Sequence, residues 1–142
     1  MKIGIENFEI DSAHYTEGIT DKCSNIHGHT FNLDVEIEGE VGQDKKGMVL
    51  DFGLVKEKVK EVLEKWDHRF IVPEEKVDEI NSEGPFNLKI KPIEGKAATT
   101  ENMAKQIAKD IFQRIEMPVS VKLYEGKDSY AIYKISEENL DE

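Results

Sequence analysis

Residues 27–38 read HGHTFNLDVEIE, and this segment alternates regularly between the two faces of a strand. Apolar side chains occupy every second position from Phe31 to Ile37, and polar or charged side chains lie between them. A period of two is typical of a strand with one buried and one wet face. The same parity includes His27 and His29, so the pattern predicts two imidazoles on the buried face.

Three further strands are predicted from the same alternation. The first covers residues 3–14, and its phase changes near Asn7, as a β-bulge would produce. The last two cover residues 119–123 and 130–135, and a short turn joins them. Between the strand at residues 27–38 and the last two strands, residues 73–86 are expected to form an exposed loop with at most a short helical turn. A short strand or loop follows this segment.

Two amphipathic helices are predicted where the apolar spacing changes to three and four residues. One runs from Gly53 to about Asp67, and the other begins after an N-cap at Thr99 or Thr100. The order of elements predicts an α+β fold, with two helices on one face of a four-stranded antiparallel sheet. Because such a small sheet leaves open edges, we expect a homo-oligomer that closes a barrel.

The composition describes one soluble domain over residues 1–142, with a core at about residues 3–135 and an acidic tail at 136–142. The chain has 30 acidic and 19 basic residues, a net charge of -11 and 38% hydrophobic residues. An acidic surface argues against nucleic-acid binding, and no apolar run approaches the ~20 residues of a membrane span. The first ten residues favour a strand rather than a secretory signal, so we expect a cytoplasmic protein.

Three of the four histidines share the parity of the apolar face: His14, His27 and His29. Two adjacent strands would carry them, so they could form a triangle of imidazoles. Three neutral nitrogens and an open position are typical of a catalytic zinc site. For a single histidine the more common role is a hydrogen-bonded core residue, but three matched in face favour the metal.

Cys23 is the only cysteine and precedes His27 by four residues. Near a metal and imidazoles its thiolate would be favoured, which suits a base or nucleophile. A buried small hydrophobe and a fourth metal ligand are the alternatives.

Acidic residues suggest two more functional positions. Asp67 could orient His68 for proton transfer if the two lie in a turn; otherwise Asp67 only caps a helix and His68 is exposed. Glu125 continues the buried parity of the strand from Val119, so it either points into a pocket and accepts paired N–H donors or ends the strand in solvent. Spacing does not single out a phosphate contact among Arg69, Lys89, Lys91, Lys96, Lys122 and Lys127.

Six short strings occur in order between residues 3 and 135: DSAHYT, CSNIHGHTF, GMVLDFG, WDHRFI, TTENMA and LYEG. As a set they resemble the family of 6-pyruvoyl-tetrahydropterin synthase and 6-carboxytetrahydropterin synthase. The resemblance implies the tunnelling fold, or T-fold, in which trimers close a barrel and two trimers stack into a hexamer. The connection at residues 71–98 is longer than in compact bacterial members.

The resemblance also assigns roles to residues. It implies that one zinc per chain is bound by His14, His27 and His29, and that Cys23 abstracts a proton with Asp67 and His68 as its partner pair. Glu125 is similar in position to the carboxylate that anchors the pterin. The remaining implied residues line the substrate pocket of an adjacent subunit: Thr99, Thr100 and Glu101.

The implied reaction starts from 7,8-dihydroneopterin triphosphate. The three residues between Cys23 and His27 resemble the carboxy branch, a lyase that yields 6-carboxy-5,6,7,8-tetrahydropterin, acetaldehyde and triphosphate for queuosine or archaeosine synthesis. Three alternatives stay open: a 6-pyruvoyl-tetrahydropterin synthase, a non-catalytic pterin-binding module of the same fold, and a structural oligomer in which zinc only joins two strands.

Overall fold

One mixed sheet of six strands is the frame of the chain in the computed structural model, which describes residues 1–44 and 46–140. The strands and α-helices are β1 (Lys2–His14), α1 (Asp21–Ser24), β2 (His27–Glu38), α2 (Phe52–Leu63), β3 (Phe70–Pro73), β4 (Ile90–Ile93), α3 (Thr100–Ile115), β5 (Val119–Glu125) and β6 (Ser129–Ile135). Two short 3₁₀ helices cover Glu74–Glu79 and Glu137–Asn139.

The strand order is β4-β3-β1-β2-β5-β6. The four predicted main strands, β1, β2, β5 and β6, are present and pair antiparallel. The prediction of a four-stranded antiparallel sheet was nevertheless wrong, because β3 joins β1 in parallel and β4 joins β3 in parallel. All four residues of β3 are buried, so this segment has no alternation that would mark it as a strand.

The register of β1 against β2 positions the histidines. His14 pairs directly with His27, and Ser12 pairs with His29. Residues opposite each other in an antiparallel pair place their side chains on the same face. On the other side of β2, Phe31 pairs with Glu125 of β5, which brings this carboxylate toward the same end of the sheet.

The predicted phase change in β1 is confirmed as a bulge. The register shifts between Ile5 and Phe8, and Asn7 has a φ of 67°. The backbone N–H of Asn7 donates a hydrogen bond to Asp34 Oδ1 over 3.0 Å. Asparagine tolerates this left-handed conformation better than most residues, so the bulge brings Phe8 and Ile10 onto the buried face.

The two long helices cover one face of the sheet, as predicted. The Asp51 side chain accepts a hydrogen bond from the Leu54 N–H and caps α2, and Thr99 accepts from the Asn102 N–H and caps α3. Helix α2 ends at Leu63, four residues before the predicted Asp67. In the described ranges, no helix has both the length and the apolar content needed to cross a membrane.

The bulge generates a stability prediction at Asn7. Replacing Asn7 with alanine should lower the free energy of unfolding by about 1 kcal/mol, because alanine lacks the short polar side chain that lets asparagine adopt the left-handed conformation. Asn7→Gly should stay within about 0.5 kcal/mol of the parent, since glycine adopts this conformation without strain. Urea unfolding at one fixed protein concentration measures both, and equal stability of the two variants would contradict this explanation of the bulge.

Candidate functional site

Three imidazoles converge where β1 ends and β2 begins. The ring centroids of His14 and His27 lie 4.7 Å apart, those of His14 and His29 lie 5.1 Å apart, and those of His27 and His29 lie 4.9 Å apart. One ring nitrogen from each lies within 4.8 Å of the other two. The triangle expected from strand parity is therefore present.

Backbone carbonyls fix the protonation of two rings. His14 Nδ1 lies 2.7 Å from the Ala98 carbonyl oxygen, and His27 Nδ1 lies 2.7 Å from the Asn25 carbonyl oxygen. A carbonyl oxygen only accepts, so each Nδ1 must carry the proton and donate it. In the neutral rings of His14 and His27, Nε2 therefore keeps its lone pair, as in a metal-binding histidine.

Burial of the Nε2 lone pair costs free energy unless a hydrogen-bond donor or a cation binds it. His14 is 2% exposed, and burial lowers the pKa of its ring below the ordinary value, although the Ala98 carbonyl and Glu125 act in the opposite direction. Glu125 Oε1 lies 3.2 Å from His14 Nε2 and 3.4 Å from His29 Nε2. Yet both Nε2 atoms are buried and, among the described residues, have no hydrogen-bond partner.

The donor set therefore fits a divalent metal. Imidazole nitrogens suit zinc, copper, iron and nickel, and a metal would satisfy the unpartnered Nε2 atoms of His14 and His29 and compensate the nearby Glu125 carboxylate. Cys23 does not belong to the compact cluster, which contains His14, His27 and His29. The arrangement therefore offers three protein ligands.

The histidines line a cavity of about 620 Å³. Five other predicted site residues line the same cavity of the same subunit: Cys23, Thr99, Thr100, Glu101 and Glu125. Glu125 therefore does not end its strand in bulk solvent, and its side chain is 36% exposed. The resemblance implied that Thr99, Thr100 and Glu101 line an adjacent subunit's pocket, whereas in this chain they line the pocket of their own histidines.

Cys23 is placed on the cavity wall by a short helix that the sequence did not reveal. It lies in α1, where Thr20 Oγ1 accepts a hydrogen bond from the Cys23 N–H over 3.1 Å. The Cys23 carbonyl accepts from the Thr16 N–H over 2.8 Å, which ties α1 to the chain that leaves β1. The thiol is partly exposed, so it is neither a buried core residue nor a surface group remote from the site.

Asp67 and His68 form the hydrogen-bonded turn that the sequence required for a working pair. Asp67 Oδ2 accepts from His68 Nδ1 over 2.9 Å, and Asp67 Oδ1 accepts from the Asp11 N–H over 2.8 Å. The His68 N–H in turn donates to the Asp11 carbonyl over 2.7 Å. Burial opposes ionisation of Asp67, but the hydrogen bonds from Asp11 and His68 outweigh it and lower its pKa below the ordinary value.

This pair lies apart from Cys23 within one chain. His68 lines a second cavity of about 510 Å³, together with Asp11, Ala13 and Thr30. These three strand residues have the opposite parity to the three clustered histidines. Alternation along a strand places these side chains on the face without helices. The two cavities share Gly28 and His29 on their walls, but His68 lines one of them and Cys23 lines the other.

Some site features escaped the sequence interpretation. The carbonyls of Ala98 and Asn25 could not be found, because backbone groups have no residue signature. Lys22 also lines the histidine cavity, and its position beside Cys23 was an available signal.

Comparison with known proteins places this geometry in a family. The family model described as 6-pyruvoyl tetrahydropterin synthase matches residues 3–136. A protein from Haemophilus influenzae, named 6-carboxy-5,6,7,8-tetrahydropterin synthase, is 34% identical over 140 residues, which cover 91% of this chain and 96% of that protein. A protein of the same name from Rickettsia bellii is 32% identical over 114 residues, which cover 75% of this chain and 78% of that protein.

The fold has a solved counterpart. A catalytic-residue mutant of the 6-pyruvoyltetrahydropterin synthase from Plasmodium vivax superimposes with a TM-score of 0.75 at 22% identity, covering 96% of this chain and 98% of that chain. This likeness shows the T-fold architecture. Together with the matched family model, it confirms the resemblance seen in the sequence motifs: the chain belongs to the 6-pyruvoyl tetrahydropterin synthase family.

Proposed function

We propose that this chain is a zinc-dependent 6-carboxy-5,6,7,8-tetrahydropterin synthase, a lyase that releases acetaldehyde and triphosphate from 7,8-dihydroneopterin triphosphate. The observation that carries the proposal is the triangle of imidazoles with two buried, unpartnered Nε2 atoms. The names of the Haemophilus influenzae and Rickettsia bellii relatives favour the carboxy product. The product would supply 7-deazapurine synthesis for queuosine or archaeosine.

One zinc ion per chain would be held by His14, His27 and His29. Three protein ligands with an open position are the usual arrangement of catalytic zinc, which, when bound, acts as a Lewis acid toward substrate oxygens. The Ala98 and Asn25 carbonyls hold two rings in the tautomer that binds a metal. Such outer contacts orient the ligands and increase their basicity.

Glu125 would anchor the pterin. A carboxylate accepts two parallel N–H donors from an amino-pyrimidine edge, and such charge-assisted bonds are stronger than neutral ones. Its side chain lines the cavity next to His14 and His29, so a bound ring would lie close to the metal ligands. Thr99, Thr100 and Glu101 supply further polar groups on the same wall.

Proton transfer would use Cys23 together with Asp67 and His68. In the His68 ring, Nδ1 donates to the ionised Asp67, so Nε2 is free to accept a proton. Because Cys23 and His68 line different cavities of one chain, a neighbouring subunit would supply the His68 that acts with Cys23 on one substrate.

The assembly proposed for this purpose is a hexamer made of two trimers. The sheet ends at β4 on one side and at β6 on the other. Open strand edges with unpaired backbone groups favour pairing with another chain. In β6, Tyr130 and Ile132 are more than half exposed, at 54% and 59%, which fits a surface covered by a second copy.

Removing one cluster histidine should abolish metal binding. We expect His27→Ala to lose stoichiometric zinc, because it removes one of the three imidazoles that converge in the cluster, while the parent binds about one zinc per chain. His68→Ala is the matched control, since it removes the fourth histidine and leaves the cluster intact. Metal analysis after gel filtration measures the content. Equal zinc in His27→Ala and the parent would exclude this metal site.

Replacing the cavity thiol should separate chemistry from metal binding. Cys23→Ala is expected to reduce kcat at least about 100-fold, the typical contribution of a general base, and to keep both zinc content and oligomer size. Steady-state turnover and light scattering are the readouts. Activity within a few-fold of the parent would show that another group transfers the proton.

Product identity decides between the branches. Incubation with 7,8-dihydroneopterin triphosphate should give 6-carboxytetrahydropterin by mass spectrometry and an equimolar amount of acetaldehyde. A pyruvoyl product without acetaldehyde would instead identify a 6-pyruvoyl-tetrahydropterin synthase. Tight substrate binding without any product would identify a non-catalytic pterin-binding module.

A further inference from the structure

The histidine cavity contains a single lysine or arginine among its lining residues, Lys22. Two carboxylates, Glu101 and Glu125, line the same cavity, and the chain as a whole carries a net charge of -11. A polyanionic ligand would therefore be repelled unless a local cation compensates it. Within one chain, Lys22 is the one lysine or arginine placed to do so.

Hydrogen bonds around α1 fix where Lys22 lies. The Lys22 carbonyl accepts from the Asn25 N–H, and Asn25 Nδ2 donates to the Asp21 carbonyl over 2.9 Å. The carbonyl of Asn25 accepts from His27 Nδ1. The segment that carries Lys22 is thus joined directly to a cluster histidine, which keeps the backbone of Lys22 at a set position relative to the three histidines.

Lys22 is exposed at the rim rather than enclosed. Ile19, on the same wall, is 68% exposed, whereas His14 at the inner end is 2% exposed. A ligand whose ring lies beside His14 and Glu125 would direct its far end toward this rim. Within residues 1–44 and 46–140, Lys22 forms no ion pair that would compete for its charge.

Four of the cations considered from the sequence lie elsewhere. Lys91 Nζ is 3.0 Å from Asp110 Oδ2, so its charge is already paired. Lys122 lies over two tyrosine rings, at 4.2 Å from the nearer centroid. Arg69 and Lys89 line the second cavity, the one that contains His68. Within one chain, none of these four lines the cavity that contains the three clustered histidines.

We infer that Lys22 binds the triphosphate of the substrate and so determines the preference for a phosphorylated over a dephosphorylated pterin. This inference rests on the proposed function, because it takes the pterin ring to lie at the histidine end. The ammonium would donate hydrogen bonds to phosphate oxygens at the rim, while Glu125 and the histidines recognise the other end of the molecule.

The test compares two ligands that differ only in the triphosphate. Calorimetry measures the Kd of 7,8-dihydroneopterin triphosphate and of 7,8-dihydroneopterin with the zinc-loaded protein in a Cys23→Ala background. Lys22→Ala should raise the Kd of the triphosphate by about tenfold or more and change that of the dephosphorylated pterin by less than about twofold. Lys22→Arg should recover most of the lost affinity, because it keeps the charge.

Lys60→Ala, which removes an exposed charge from α2, is the control for a general change in net charge. An unchanged triphosphate Kd in Lys22→Ala, or an equal loss for both ligands, would overturn the inference. Failure of the parent to bind either pterin would overturn the proposed function as well. If the protein with Cys23 intact binds both pterins but forms no product, this would contradict the proposed enzyme alone, since the Kd comparison is independent of turnover.

Discussion

Buried imidazole nitrogens without a partner are the constraint on which the site depends. His14 Nε2 and His29 Nε2 face Glu125 Oε1 at 3.2 and 3.4 Å, and neither forms a hydrogen bond within the described chain. In His14 the Ala98 carbonyl holds the proton on the other nitrogen, so an acceptor faces an acceptor. Leaving buried polar groups unpaired costs roughly 1–3 kcal/mol each. A bound cation would remove this cost, which is the physical basis of the proposed metal site.

Much of this site could be predicted from the sequence, because strand parity carries it. The alternation from Phe31 to Ile37 extends back through His29 and His27, and the bulge at Asn7 gives His14 the matching parity. Residues that share a face and a strand end must lie close together once the register is set. Glu125 was found by the same argument, since it continues the parity of β5.

The remaining features depend on tertiary contacts that have no local signature. β3 is short and buried on both faces, so its pattern does not distinguish a strand from any other buried segment. The separation of His68 from Cys23 could not be predicted, because it depends on hydrogen bonds between the turn at Asp67 and the backbone of Asp11, which place His68 in a different cavity from the thiol. Lys22 was overlooked because its role depends on which cavity it lines, and spacing does not reveal a cavity.

The separation of the two cavities also bears on the proposed chemistry. The three clustered histidines, Cys23 and Glu125 line one cavity, whereas His68 lines the second cavity, of which only Gly28 and His29 also line the first. A single chain therefore contains two incomplete sets of groups, and the open edges at β4 and β6 offer the means to combine them. In our proposal the oligomer is needed for catalysis and not only for stability.

X-ray absorption at the zinc edge tests the central claim most directly, because it reports the atoms bound to the metal in solution. The account predicts three imidazole nitrogens at about 2.0–2.1 Å and one oxygen from solvent, with no sulfur near 2.3 Å. A spectrum dominated by oxygen ligands, or one with a sulfur ligand that closes a four-coordinate site, would contradict an open three-histidine centre.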